Sequence, residues 1–312
     1  MSYPTQVTVT EVGPRDGLQI EPVFIPTATK IRLINDMVAA GVKSMEATSF
    51  VSPRAVPQLR DAAEVIAGID RSTGMKVLAL VPNPKGAELA AKAGVDGVVI
   101  VVSASESHNR SNLNRSVADS LTGFKDIVDI ARGAGVDVHG AIATSFGCPF
   151  EGDVPIQSVF RIADRFAELG IGLIGVCDTT GMATPTLVTG ICAAMRQRYP
   201  GKTLDLHFHN TRGLGLANVL AGLQAGVSHY DSSLGGLGGC PFAPGATGNI
   251  CTEDLVHMLH EMGIATGIDL GRLVGAAHSL ERTVGRELPG QVMKAGPRLT
   301  LHACDAVARA VG

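Results

Sequence analysis

Residues 93–102 read Ala93-Gly94-Val95-Asp96-Gly97-Val98-Val99-Ile100-Val101-Val102, and that order of residues decides the fold. A glycine just past a helix end takes the left-handed conformation that strains other residues. The β-branched run behind it is strand-sized, and it is too continuously apolar for a strand with one wet face. The segment therefore ends a helix and opens a strand covered on both sides, as parallel sheets require. The same punctuation recurs at Ala40-Gly41-Val42, Ala134-Gly135-Val136 and Ala225-Gly226-Val227, with Leu169-Gly170-Ile171 as a variant.

Working outward from these stops, strands are expected over residues 7–12, 43–47, 76–81, 97–102, 137–142, 172–177, 204–208 and 228–231. Helices lie between them. Asn83-Pro84 and Thr184-Pro185 each place a capping residue before a first-turn proline. Thr252 heads another helix, and Phe124, Ile127, Val128 and Ala131 form one apolar stripe. Strands alternating with helices predict an α/β chain with a parallel sheet, and eight strands close a TIM (β/α)8 barrel. An open doubly wound sheet is the alternative, but no Gly-x-Gly-x-x-Gly turn follows the first strand. A chain of 312 residues suits one barrel as well as two smaller domains. The expected division is a catalytic barrel over residues 1–275 and a C-terminal helical extension, 276–312, packed on it.

Composition excludes several function classes. A net charge of −3 leaves no basic footprint for nucleic acid or an anionic membrane. The longest apolar run, at residues 98–102, is strand-sized, so no membrane span is expected. Met1-Ser2-Tyr3-Pro4-Thr5 lacks the charged and apolar regions of a signal peptide, so the cytoplasm is expected. The 6 cysteines include no Cys-x-x-Cys pair, which argues for free thiols over a zinc site. The apolar tail predicts self-association as a dimer or tetramer.

In this fold, chemistry sits where strands end. Arg15 and Asp16 follow strand one, Glu46 ends strand two, Asp178 follows strand six, His207 and His209 occupy the end of strand seven, and Asp231 ends strand eight. Residues two apart on a strand share a face, so His207 and His209 can hold one cation between them. One core and one surface histidine is the plainer reading. With oxygen donors and open water positions the pair suits Mg²⁺ or Mn²⁺ rather than zinc. Asp16 is the third candidate ligand. Asn249, carried by the loop after strand eight, is the fourth, because barrel closure sets strand eight beside strand one. A hydrolase barrel with a His-x-His pair on strand one is disfavoured, since strand one here ends in Arg-Asp.

The loop from Gly235 to Asn249 is too rich in glycine for a helix or strand. Cys240 within it is a thiol on a movable lid, suited to proton transfer, unless the loop merely carries a spectator. Arg15 offers a fixed cationic fork for an enolate oxygen, or else a barrel-end ion pair with Glu46 or Asp178. Glu46 is read as orienting Arg15 or the ligands. Asp178 is read as catalytic or as the start of a turn, and Asp231 as a ligand neighbour or a cap. His108 and His139 read as structural. Asn83 and Lys85, opening the helix after strand three, are the candidates for contacting a coenzyme.

At these residues the chain resembles the 3-hydroxy-3-methylglutaryl-CoA lyase family, within the wider DRE-TIM metallolyase group. The resemblance runs through Gly13-Pro14-Arg15-Asp16-Gly17-Leu18-Gln19, Glu46-Ala47-Thr48-Ser49-Phe50-Val51-Ser52-Pro53, Gly147-Cys148-Pro149-Phe150-Glu151-Gly152, Asp178-Thr179, the histidine pair and the glycine loop, in family order. It implies a divalent metal held by Asp16, His207, His209 and Asn249. It implies Arg15 as enolate stabiliser, Cys240 as the loop thiol, Glu46 and Asp178 as supporting groups, and an acyl-CoA substrate cleaved by a retro-Claisen reaction. Two positions depart from the family pattern. Ala141 follows Gly140 where these lyases carry Tyr, and Gly175 stands where they carry Ser. Both departures point to a relative of the methylglutaryl substrate, such as citramalyl-CoA or a longer branched 3-hydroxyglutaryl-CoA. A Claisen-condensing enzyme, an aldolase of the same group and a non-catalytic binding barrel are the alternatives.

Overall fold

The computed structural model describes residues 3–239 and 248–301. Eight parallel strands close into a barrel: β1 (Thr8–Glu11), β2 (Ser44–Ser49), β3 (Lys76–Leu80), β4 (Gly97–Ser103), β5 (Asp137–Ala143), β6 (Leu173–Asp178), β7 (Thr203–Phe208) and β8 (His229–Ser232). The first and last strands seal the seam through Thr8↔His229, Val9↔Tyr230, Thr10↔Asp231 and Glu11↔Ser232. The expected TIM barrel is therefore the fold. Every strand lies within two residues of its expected bounds, because β-branched runs bracketed by glycine leave the chain little choice.

The left-handed stops are where the sequence places them. Gly41, Gly94, Gly135, Gly170 and Gly226 have φ between 71° and 98°. Asn83 and Thr184 accept from the backbone N–H groups of Gly86 and Leu187, satisfying helix-start donors. The stripe on helix Val117–Gly133 is buried along Phe124, Ile127, Val128 and Ala131. Each large apolar side chain removed from water there stabilises the fold by about 1.5–3 kcal/mol. One start differs from expectation. Cys251 occupies the cap position of helix Thr252–Glu261, and the Thr252 hydroxyl instead donates to Glu11 Oε2 at 2.6 Å. Past the barrel, helix Leu270–Val284 runs through position 275 and packs against Thr27–Ala39 and Thr252–Glu261. Among the described residues, no helix is long and apolar enough to cross a membrane.

The two faces of the barrel wall differ. Outward residues such as Ile100, Ile142, Ile174, Leu206 and Tyr230 are fully buried under the helices. On β1, β4, β5 and β8 the inward residues are the less buried ones: Thr8, Thr10, Val99, Val101, His139, Ala141, His229 and Asp231 are only half-buried. The register sets Cys177, His207, Asp231, Thr10 and Ser44 side by side on that inward face, and Thr10 donates to Ser44 across it at 3.1 Å. The inward face thus carries polar side chains beside its valines, and on these four strands it is less buried than the outward face.

Candidate active site

The residues after β1 fold into a single π-helical turn, Gly13–Gly17, a wide turn often found at functional sites. Its Asp16 N–H donates to Val12 O at 2.7 Å. Glu11, on the outward face, anchors the turn. It accepts from the N–H of Gly13 at 2.7 Å and of Leu234 at 3.0 Å, and from the Thr252 hydroxyl. Burial pushes its pKa up to about 7 against those three donors. One carboxyl group thereby ties the turn after β1 to the loop after β8.

The turn aims Arg15 and Asp16 over the barrel mouth. Arg15 is a pinned fork: Nη1 donates to Asp16 Oδ1 at 2.5 Å and Nη2 to Glu46 Oε2 at 2.6 Å. Its Nε is buried without a partner among the described residues. Burial works against the Arg15 charge, and Glu46 and Asp16 more than offset it, holding its pKa up. Burial likewise disfavours the Asp16 carboxylate, but Arg15, His207, His209 and a hydrogen bond from Asn249 bring its pKa down to about 2. For Glu46, burial outweighs Arg15 and the pKa is raised. Arg15 thus makes the ion pair of the plainer reading while it also faces the site.

Asp16, His207 and His209 bring one potential ligand atom each to within 4.8 Å of one another, all buried. The two imidazole centroids stand 5.2 Å apart. Asn249 reaches the cluster because residue 249 forms an antiparallel bridge with His209, framed by Asn210 N–H to Gly248 O and Ile250 N–H to Phe208 O, each at 3.0 Å. Its Nδ2 donates to Asp16 Oδ2 at 2.8 Å and to Leu237 O at 3.1 Å. That commits the nitrogen and leaves Oδ1 buried and unpartnered among the described residues. An orphaned amide oxygen beside two imidazoles and an ionised carboxylate is the donor set of a divalent cation. Gly238 makes room for it. At φ +117°, a Cβ there would lie 2.6 Å from Asn249 Nδ2.

Behind the imidazoles the sequence reading falls short. Asp231 is no cap. Its Oδ2 lies 3.1 Å from His207 Nδ1, the partner that fixes the ring's orientation and tautomer. Burial opposes the charged form of His207, and Asp231 and Asp16 more than offset it, raising its pKa. Asp205 was not singled out at all. It is buried one step below His207 on the same face, and burial and its hydrogen-bonded neighbour Asp231 push its pKa well up. The signal was present as Asp205-x-His207-x-His209, the same period-two rule carried one position further. Gln19, which donates to Asp16 Oδ1 at 3.1 Å, and Glu253, whose Oε2 accepts from Gly235 N–H at 3.0 Å, were also missed.

Asp178 makes the turn of the plainer reading. Its Oδ1 accepts from Met182 and Ala183 N–H at 2.6 and 3.0 Å, shaping a turn. Its Oδ2 has no partner among the described residues, and burial raises its pKa to about 6. Asn83 is committed to its helix cap, while Lys85 is exposed and pairs with Glu88 at 2.9 Å. His108 is buried with Nδ1 2.6 Å from Ser103 Oγ, in keeping with a structural role. Cys148, Cys177, Cys192 and Cys251 are free and buried. Cys240 lies outside the described residues.

A family model described as HMGL-like matches residues 6–280. The chain belongs to the HMGL-like family. Among its relatives, the hydroxymethylglutaryl-CoA lyase YngG of Bacillus subtilis is 46% identical over 291 residues, covering 93% of this chain and 97% of that protein. The (R)-citramalyl-CoA lyase of Chloroflexus aurantiacus is 45% identical, covering 93% of this chain and 95% of that one. Among solved structures, an HMG-CoA lyase from Acinetobacter baumannii in complex with coenzyme A and 3-methylmalate superposes with a TM-score of 0.92 at 47% identity, over 97% of this chain and 99% of that one. The HMGL-like match spans both sides of the β1–β8 seam, and so includes every element that carries the cluster.

Proposed function

We propose that this chain is a divalent-metal-dependent carbon–carbon lyase that cleaves a 3-hydroxyacyl-CoA by a retro-Claisen reaction, with 3-hydroxy-3-methylglutaryl-CoA giving acetoacetate and acetyl-CoA. The observation that carries the reading is the convergence of Asp16, His207 and His209, with Asn249 hydrogen-bonded to Asp16 and its Oδ1 buried without a partner among the described residues, and the Arg15 fork beside them. Those four residues would hold the cation, Mg²⁺ or Mn²⁺ by its mix of oxygen and imidazole donors. When bound, it supplies Lewis acidity that makes the substrate's tertiary hydroxyl easier to deprotonate.

The chain's own groups do the rest. A carboxylate at the mouth, Asp16 or one reached through water, takes the hydroxyl proton. The electron pair left on the oxygen closes the ketone C=O as the C2–C3 bond breaks, and the C2–C3 pair moves onto the thioester as an enolate. Arg15 meets the enolate oxygen with the spare protons of its terminal nitrogens and with its Nε–H, which has no partner among the described residues. Because Asp16 and Glu46 already fix the fork, little reorganisation is needed as charge develops. Cys240 delivers the proton to C2, completing acetyl-CoA. Lys85, at the start of the helix behind β3, offers a charge to the coenzyme phosphates.

Citramalyl-CoA is the second reading, favoured by the Chloroflexus relative. The test is acetyl-CoA release from both substrates by protein stripped with a chelator and then reloaded with Mg²⁺ or Mn²⁺. Turnover should vanish on stripping and return on reloading, and turnover indifferent to both treatments defeats the reading.

A further inference from the structure

The loop after β8 opens on two left-handed glycines in a row. Gly235 and Gly236 have φ of 64° and 70°. Having no side chains, they depend on their neighbours for packing. Those neighbours include the C-terminal extension. Past helix Leu270–Val284, a strap over residues 285–293 crosses behind the pair. A Cβ at Gly235 would lie 2.5 Å from Leu288 Cδ1, and one at Gly236 would lie 2.9 Å from Pro289 Cγ and 2.6 Å from Cys251 Sγ. The strap is itself moored at three points. Arg286 Nη2 donates to Glu21 Oε1 at 2.5 Å, the Leu288 N–H to Glu281 Oε1 at 2.9 Å, and the Val292 N–H to Asp254 Oδ1 at 2.7 Å. Leu288 is 1% exposed, so it is a fixed apolar wedge under the turn.

What the wedge supports meets the candidate cation site at the next residue. Leu237 is buried and packs on Gly17, where a Cβ would meet its Cδ2 at 2.9 Å. Its carbonyl accepts from Asn249 Nδ2 at 3.1 Å, and Asp16 Oδ2 accepts from the same nitrogen at 2.8 Å. An amide nitrogen has two protons to give, so these acceptors spend both. Each can face only the nitrogen end of the amide. Together they decide which way it is turned, and they leave Oδ1 as the atom available to a cation. Turned over, the amide would offer a nitrogen that cannot ligate. Asp16 is itself a candidate ligand. Of the two anchors, the Leu237 carbonyl is therefore the one for which a cation does not compete.

We propose that Leu288, backed by Pro289, is a positioning residue for cation binding: it holds the Gly235–Gly236 turn so that the Leu237 carbonyl keeps the Asn249 amide oxygen available as a ligand. The inference rests on the cation site proposed above and deepens it by joining the C-terminal extension to it. Leu288 acts without touching the cation or the substrate. Removing its side chain leaves a gap behind two glycines, the residues freest to turn into it. Any such turn displaces the Leu237 carbonyl that follows. The effect is weaker cation binding, and it is transmitted through Asn249.

The test titrates Mn²⁺ into chelator-stripped protein by calorimetry. Losing a group that orients a metal ligand lowers affinity by about 10–100-fold, and Leu288→Ala should fall in that range. Leu288→Met conserves volume and should bind almost as wild type does. In an Asn249→Ala background, Leu288→Ala should cost nothing further, because residues that act through one another do not add. Ile162→Ala is a buried deletion in helix Ile156–Glu168. It should lower the melting temperature and leave Mn²⁺ affinity alone. Undiminished affinity in Leu288→Ala overturns the proposal. So does the same fold-loss with Asn249 absent, or a matching loss in Ile162→Ala. If Leu288→Ala does not fold, Leu288→Val runs the same cycle. Wild-type protein that takes up no Mn²⁺ overturns the cation site itself.

Discussion

Replacing Arg15 by Met strips a charge from between two buried carboxylates, and the structure says how much should follow. The side chains of Asp16 and Glu46 are 11% and 4% exposed, so solvent screening does little for either once the guanidinium has gone. Breaking a buried pair by removing one partner costs about 3–5 kcal/mol of stability. Turnover loses a separate quantity. Removing one pre-set donor from a developing oxyanion lowers kcat by about 10²–10³-fold. The two losses come apart in the double variant Arg15→Met/Glu46→Gln. It leaves one less unpaired charge, so part of the melting temperature returns while turnover stays low. They also separate with pH. With Arg15 absent, burial and the nearby Asp231 and Asp16 carboxylates act on Glu46 unopposed, and its folded pKa rises further above the unfolded value. The instability should therefore grow as pH rises and shrink toward the ordinary carboxyl pKa, about 4.3, below which Glu46 is protonated in both states. The assays are acetyl-CoA release and thermal melts at about pH 5.5 and 8. Arg15→Met turnover within a few-fold of wild type would refute the reasoning, as would a double variant that regains activity along with stability.

Other outcomes follow from the same geometry. Asp231→Asn removes the carboxylate that orients His207, and Mn²⁺ affinity measured by calorimetry should fall about 10–100-fold; unchanged affinity would dissociate Asp231 from the cation site. Glu253 has a pKa raised to about 8 by burial. Between the ordinary carboxyl value and that point the unfolded chain is ionised and the folded one is not, so its contribution turns unfavourable as pH rises. Glu253→Gln should accordingly flatten the decline in melting temperature from about pH 5 to 8, and an identical slope would contradict the assignment. Sedimentation of the native protein should show a dimer or tetramer, as the apolar tail predicts, and a monomer at micromolar concentration would not fit.

The fold was legible because its signals are local. A glycine such as Gly94 stops a helix within one residue, and a run such as Val98–Val102 cannot be mistaken for a polar strand. The convergence of the candidate ligands was legible because His207 and His209 obey a two-residue period and Asp16 and Asn249 flank the seam. What escaped depends on distance in the chain. Glu11 looks like an ordinary strand residue until closure brings Leu234 and Thr252 onto its carboxyl group. Asp231 reads equally well as a cap, and only the pairing of β7 with β8 sets it against His207. Thr252 carries a capping side chain, but Cys251 takes the cap position and a buried acid claims the Thr252 hydroxyl. Asp205 was hidden by expectation, since a carboxyl group is not anticipated in the middle of a barrel wall.

The seam has a consequence for how the molecule opens. Asp16 hangs from the first staves of the cylinder and Asn249 from beyond the last, 233 positions apart along the chain. An ion gripped by both, as proposed, would act as a clasp across the join. The part of its binding energy that comes from these two ligands would be released only after the ring has shut, and so would favour the finished form over partly assembled ones. Stripped of the ion, the protein should exchange its amide hydrogens fastest along Thr8–Glu11 and His229–Ser232, and loading should slow that join before any other part of the ring.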